Sequence, residues 1–158
     1  MSAPEERAAL AGLRRADAAD IARVTALQRA AYARNRSILG VEPLPLLADY
    51  ADVFSTCEVW LVEGTHGLEG VLILELRSDD LLLWSIATYP DLQGRGLGRR
   101  LLAATEARAR ELGRRSVRLY TGEKLAENIA WYERHGYRRE RIEQFDDRRI
   151  VHLAKHLD

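Results

Sequence analysis

At 158 residues, 47% of them hydrophobic, the chain has the length of one ordinary domain and enough apolar material for a core without staples. Its 24 Lys and Arg balance 24 Asp and Glu, so no overall field draws it to nucleic acid or to an anionic membrane, and neither is expected as a partner. Cys57 is the only cysteine, which excludes an internal disulfide and a thiolate metal cluster and fits a reducing cytoplasm. The opening MSAPEERAAL has no apolar segment of signal-peptide length, and no later run approaches a membrane span. A soluble, unprocessed cytoplasmic single domain over 1–158 is expected, with residues 1–10 flexible.

Asp17 precedes Ile21, Val24, Leu27 and Ala31 at helical spacing, and Asp20 follows three residues after this cap, so a first amphipathic helix is predicted here. Gly40, Pro43 and Pro45 interrupt the pattern, and Leu46 to Phe54 reads as a second, short helix. Glu58 to Glu63, Val71 to Arg77 and Leu81 to Tyr89 are β-favouring runs separated by turn signals at Gly64 to Gly70 and Ser78 to Asp80. They predict an antiparallel meander. Beyond Pro90, Leu97, Leu101, Ala104 and Leu112 follow a helical period that stops at Gly113. Ser116 to Thr121 reads as a buried strand and Ala126 to His135 as a helix ended by Gly136. Tyr137 to Gln144 and Ile150 to Lys155 close the chain as a hairpin around Asp146 and Asp147.

The most informative segment is Gln93-Gly94-Arg95-Gly96-Leu97-Gly98-Arg99, where three glycines alternate between a strand and a helix. Glycine tolerates positive φ and has no Cβ, so a ligand can approach such a backbone closely. Successive N–H groups in the turn, joined by those of the first helical turn and the helix dipole, form an anion-binding concavity suited to a pyrophosphate. Arg95, Arg99 and Arg100 add charge nearby. A ligand-free connection is the plain alternative for glycine spacing taken alone. Two nucleotide-binding rivals fail on the letters. A P-loop needs Lys followed by Ser or Thr after its last glycine, where Arg99 and Arg100 stand, and the dinucleotide fingerprint needs two residues where only Leu97 separates Gly96 from Gly98.

Gln93, Gly96 and Gly98, after an apolar strand and Pro90, match the Gln/Arg-x-x-Gly-x-Gly/Ala signature and so resemble the GNAT superfamily of N-acetyltransferases. The likeness extends to Asn128, Tyr132, Gly136 and Tyr137, which resemble that superfamily's Asn-x-x-x-Tyr-x-x-x-Gly-Phe/Tyr segment. The resemblance implies an α/β fold: a mixed, mainly antiparallel sheet flanked by helices and splayed where acyl-CoA enters. It implies acetyl-CoA as cosubstrate, an amine acceptor that is a small molecule or a peptide, and direct attack in a ternary complex, with a homodimer left open. A non-catalytic acyl-CoA-binding or sensing module is the alternative. The pyrophosphate then falls to Gln93, Gly94, Arg95, Gly96, Leu97, Gly98 and Arg99. By the same resemblance the backbone of Ile86, Ala87 and Thr88 pairs with the pantetheine arm, and Asn128 hydrogen-bonds the cofactor.

Acetyl transfer needs a neutral amine, a stabilised oxyanion and a proton for the departing thiolate. Because CoA thiolate leaves readily, holding the reactants together supplies much of the rate. Tyr132 matches the tyrosine that protonates the thiolate in many GNAT enzymes; an ordinary core aromatic is its other reading. For the general base, Glu75 is an acidic residue within an apolar strand, on the face of Val71 and Ile73, with Ser85 as a water-relay alternative. An edge-strand charge and a small core filler are the competing readings of those two. The histidines, His66, His135, His152 and His156, are scattered, so no metal site is expected. Tyr32, Tyr50 and Trp84 are candidates to shape an acceptor pocket.

Overall fold

The computed structural model describes residues 10–158. Asp17 and Asp20 close a capping box around a 3-10 turn, Ala18–Asp20, which runs directly into helix α1, Ile21–Tyr32. The apolar face of α1 buries Val24 and Leu27 completely, each contributing about 1.5–3 kcal/mol. The helix expected over Leu46 to Phe54 is divided instead. Helix α2 spans Asn35–Leu39 and ends at left-handed Gly40, α3 spans Leu44–Leu47, and α4 spans Tyr50–Thr56. The break falls at Ala48, which is extended, and at Asp49, whose side chain accepts from Ala51 N and starts a new helix.

The meander forms as expected from β2 (Glu58–Gly64), β3 (Gly67–Leu76) and β4 (Leu81–Thr88). A two-residue strand β1, Arg14–Arg15, adds an edge beside Trp60 and Leu61, too short for periodicity to reveal. Helix α5 (Leu97–Glu111) then crosses over to β5 (Ser116–Gly122), so β4 and β5 are parallel. They pair only at Leu81 with Val117 and Leu82 with Arg118, and diverge beyond. Helix α6 (Ala126–Arg134) precedes the hairpin of β6 (Arg138–Phe145) and β7 (Arg148–His156).

The seven strands lie in the order β1-β2-β3-β4-β5-β7-β6. Strand β7, with Ile150, Val151, Leu153 and Ala154 buried, takes the inner place, and the charged β6 takes the edge. One face of the sheet packs Leu72, Leu74 and Leu83 against Leu101 and Leu102 of α5 and Ile129 of α6. The other packs Val59, Leu61, Val71 and Ile73 against α1 and α4. Of residues 1–10, for which flexibility is expected, 1–9 lie outside the described residues, and Leu10 packs against the α5 core. Among the described residues no helix is long and apolar enough to cross a membrane.

Candidate active site

Where β4 and β5 diverge, a cleft of about 700 Å³ opens, lined by Leu83 to Thr88 on one strand and Leu119 to Gly122 on the other. One residue extra in β4 marks the start of the divergence: Ile73 faces Ser85 while Leu74 faces Leu83, so Trp84 bulges out of register. Both Trp84 and Ser85 line the cleft.

One end of the cleft is built from backbone. After β4, Pro90–Leu92 forms a 3-10 turn, and Gly94 (φ 84°) and Gly96 (φ 82°) adopt the left-handed conformation that brings the chain into α5. The first helical bond runs from Arg100 N to Gly96 O. Ahead of it the N–H groups of residues 94 to 99 donate to nothing among the described residues, where also no side chain caps the helix, and its first turn carries no acid. A Cβ on Gly94 would meet nothing within 4 Å, and Gly94, Gly96, Leu97, Gly98 and Arg99 all line the cleft. A 15-residue helix begins there, and its dipole adds partial positive charge to those amides. An anion with several oxygens, such as a pyrophosphate, fits this set of donors.

Helix α6 abuts the turn closely: a Cβ on Gly98 would lie 3.6 Å from the ring of Trp131. Asn128 and Tyr132, one helical turn apart, both line the cleft. The Tyr132 ring packs edge-on against Trp131 (5.0 Å between centroids) and Tyr137 (5.7 Å). Burial, reinforced by the nearby Tyr32 phenol, pushes its pKa well above that of an ordinary tyrosine, so its proton is retained throughout the neutral and moderately basic range.

The opposite side of the cleft is built from side chains. Gln28, fully buried, donates through Nε2 to Tyr50 Oη and to Ser85 Oγ, both at 3.0 Å. Ser85 Oγ is 2.7 Å from Tyr32 Oη, and Tyr50 Oη donates to Pro45 O at 2.7 Å. This network ties α1 to β4 and to α4, and α4 to α3. A second set of ties holds α2 over the end of β5. Leu39 occupies the space of the Cβ that Gly122 lacks, 2.5 Å from where that atom would lie. Lys124 Nζ reaches Leu39 O at 3.5 Å, and Arg148 Nη1 donates to Glu42 O at 2.5 Å.

Of the residues singled out in the sequence, Ile86, Ala87, Thr88, Gln93, Gly94, Gly96, Leu97, Gly98, Arg99, Asn128 and Tyr132 all line the one cleft, as do Ser85, Tyr32 and Trp84. Two of the residues singled out, Glu75 and the side chain of Arg95, do not line the cleft. Glu75 pairs with Leu82 where β4 is still held to β5, and its charge acts on Cys57, Arg77 and Tyr120. Arg95, between two left-handed glycines, is exposed and does not line the cleft either. Arg100 also leaves the turn, lying against Gly12. Tyr50 stands behind the pocket as a support rather than in it. Sequence reasoning missed Gln28, Arg34, Asn35, Tyr120 and Arg148. Gln28 had a signal, as a polar residue on the apolar stripe of Val24, Leu27 and Ala31. The others had none, because long-range packing brings them to the cleft. Among the described residues no three His, Cys, Asp or Glu side chains group as a metal site.

Residues 55–139 match the family model described as an acetyltransferase (GNAT) domain. No curated protein matches the sequence. Solved structures share the fold at low identity. The GCN5-related N-acetyltransferase described as an aminotransferase, class-II, from Rhodopseudomonas palustris superposes with a TM-score of 0.77 at 18% identity, covering 92% of this chain and 94% of its own. The ribosomal-protein-S18-alanine N-acetyltransferase of Escherichia coli gives 0.74 at 20% identity, covering 91% and 92%. A GNAT family acetyltransferase from Elizabethkingia anophelis, crystallised with acetyl-CoA bound, gives 0.65 at 20% identity, covering 71% and 87%.

Proposed function

The chain belongs to the GNAT acetyltransferase family, and on that premise we propose that it is a single-domain enzyme that transfers the acetyl group of acetyl-CoA to the amine of a small molecule or peptide. The observation that carries this reading is the pairing, in one cleft, of free amides at residues 94 to 99 with the protonated phenol of Tyr132. Acetyl-CoA supplies the activated thioester. The amides and Arg99 hold its pyrophosphate, and the edge of β4 at Ile86, Ala87 and Thr88, left unpaired by the divergence from β5, offers main-chain partners to the pantetheine arm. Asn128 adds a polar contact from α6.

The neutral amine attacks the thioester carbonyl, the C–S bond breaks, and the Tyr132 hydroxyl gives its proton to the departing sulfur. The proton lost by the amine goes to solvent: among the described residues lining the cleft the one acid is Glu127, on α6 beside Asn128. Alignment of the two reactants then supplies much of the rate, worth up to about 7–11 kcal/mol in ideal cases.

A thiol-release assay with acetyl-CoA and a panel of amines tests this reading. Release that depends on an amine is expected; tight acetyl-CoA binding with no release under any amine favours the non-catalytic module. In the same assay Tyr132→Phe, which keeps the ring and removes the hydroxyl, should lower kcat by about 10²–10⁴ while leaving acetyl-CoA affinity unchanged. Since the Tyr132 pKa is raised, its acid form persists where a free phenol is lost. The wild-type rate should therefore climb with the free-amine fraction and show no fall near pH 10. A decline there, or an unaltered kcat in Tyr132→Phe with chemistry rate-limiting, would remove Tyr132 as the acid.

A further inference from the structure

With the cofactor held at the start of α5, as proposed above, the acceptor is left the face of the sheet opposite α5 and α6, where α1 to α4 lie. The charges on that side are unbalanced. Arg34, between α1 and α2, lines the cleft and is exposed to solvent, and although its carbonyl accepts from Ser37 Oγ, its guanidinium makes no ion pair or hydrogen bond among the described residues. The acids near it are already committed. Glu42 is held by Arg36 Nη2 at 2.7 Å, and Asp147 by Arg148 Nε at 2.9 Å. Glu127 belongs to the opposite wall. Next to Arg34, Asn35 is mostly buried, yet its side chain lines the cleft and makes no hydrogen bond among the described residues. Because no fully buried side-chain polar atom is left unsatisfied there, its amide opens to the cleft, where a polar ligand group can meet it.

A cationic acceptor such as a polyamine would bring positive charge to a wall that offers it the unpaired guanidinium of Arg34 and, among the described residues lining that wall, no carboxylate. An anion reverses the sign. A guanidinium matches a carboxylate with parallel N–H donors, and Asn35 can donate to the same group. Resting on the acetyltransferase reading above, we propose that the acceptor is an amine that also carries a carboxylate, of the amino-acid class, and that Arg34, with Asn35, recognises that carboxylate and sets acceptor specificity.

Matched pairs test this: phenylalanine against phenethylamine, and methionine against 3-(methylthio)propylamine, with spermidine as the cationic control. These probes suit the apolar surface of Trp84 and Tyr120 in the cleft. Rates are taken at saturating acetyl-CoA and expressed per unprotonated amine. The amino acid of a pair should exceed its decarboxylated partner in kcat/KM by at least about tenfold, about 1.4 kcal/mol. Arg34→Gln should erase that preference, leaving the decarboxylated amine's kcat/KM and the acetyl-CoA Kd unchanged, while Arg34→Lys keeps part of it. Equal rates within the pairs, or a preference for spermidine, would overturn the carboxylate proposal and leave the transferase reading intact. So would weaker acetyl-CoA binding in Arg34→Gln, which would move Arg34 to the cofactor. Acetyl-CoA binding without turnover of any amine would overturn both.

Discussion

The two walls of the cleft are made of different material. The wall at Gln93 to Arg99 works through main-chain N–H groups, held by two left-handed glycines and a helix start that are close in sequence. The wall at α1 to α3 works through side chains, Tyr32, Arg34, Asn35 and Trp84, which are set by contacts such as Gln28 to Ser85 and Arg148 to Glu42 across 57 and 106 residues. A backbone site is indifferent to most side-chain changes and intolerant of a Cβ. A side-chain site can be re-cut for a new acceptor without touching the donor wall, provided its supports stay in place.

The sharpest way to break the donor wall is Gly96→Val. Its φ of 82° is strained for any residue with a Cβ and worst for a β-branched one. Acetyl-CoA affinity by calorimetry should fall by more than about 10²-fold, equivalent to more than about 2.7 kcal/mol, while the fold is retained. Parent-like binding by this folded variant would mean that the amides of the turn do not hold the cofactor.

A smaller effect should appear on the other wall alone. Gly122→Ala places a Cβ 2.5 Å from Leu39 Cδ2, and the tip of that side chain must yield. The expected result is a fall of about tenfold in kcat/KM for the acceptor, read from acceptor titrations, with acetyl-CoA Kd unchanged. A matching loss of cofactor binding would show the two walls to be coupled rather than separable.

The smallest change is expected from Glu75→Gln. Because Glu75 stands outside the cleft, kcat/KM should shift by less than about tenfold, or 1.4 kcal/mol, and the pH profile should keep the shape set by the free amine. A loss concentrated below the amine's own pKa would restore Glu75 as the base.

This division between walls matches what was legible beforehand. Gly94, Gly96 and Gly98 stand at alternate positions in a run of five letters, Asn128 and Tyr132 share a helix face by spacing alone, and all five line the cleft. Glu75 misled because alternation reports which face of a strand a residue is on, not where along the sheet the strands part. The Arg95 side chain stays out of the cleft while its N–H belongs to the turn, and charge near a glycine turn reads the same whether the side chain points in or out.

Local order was within reach of the sequence: the capping box at Asp17 and Asp20, the meander, the crossover helix and the phosphate turn each depend on residues a few positions apart, whose spacing sets periodicity, capping and φ. Tertiary structure alone decided three things: that β7 sits between β5 and β6, that β4 and β5 pair at two positions and then separate, and that Leu39 seats on Gly122. Each depends on which buried surfaces meet after the chain folds back on itself. Tyr32 on Ser85 and Leu39 on Gly122 bring Arg34 and Asn35 beside the cleft through contacts dozens of residues apart, and no local pattern encodes such a distance.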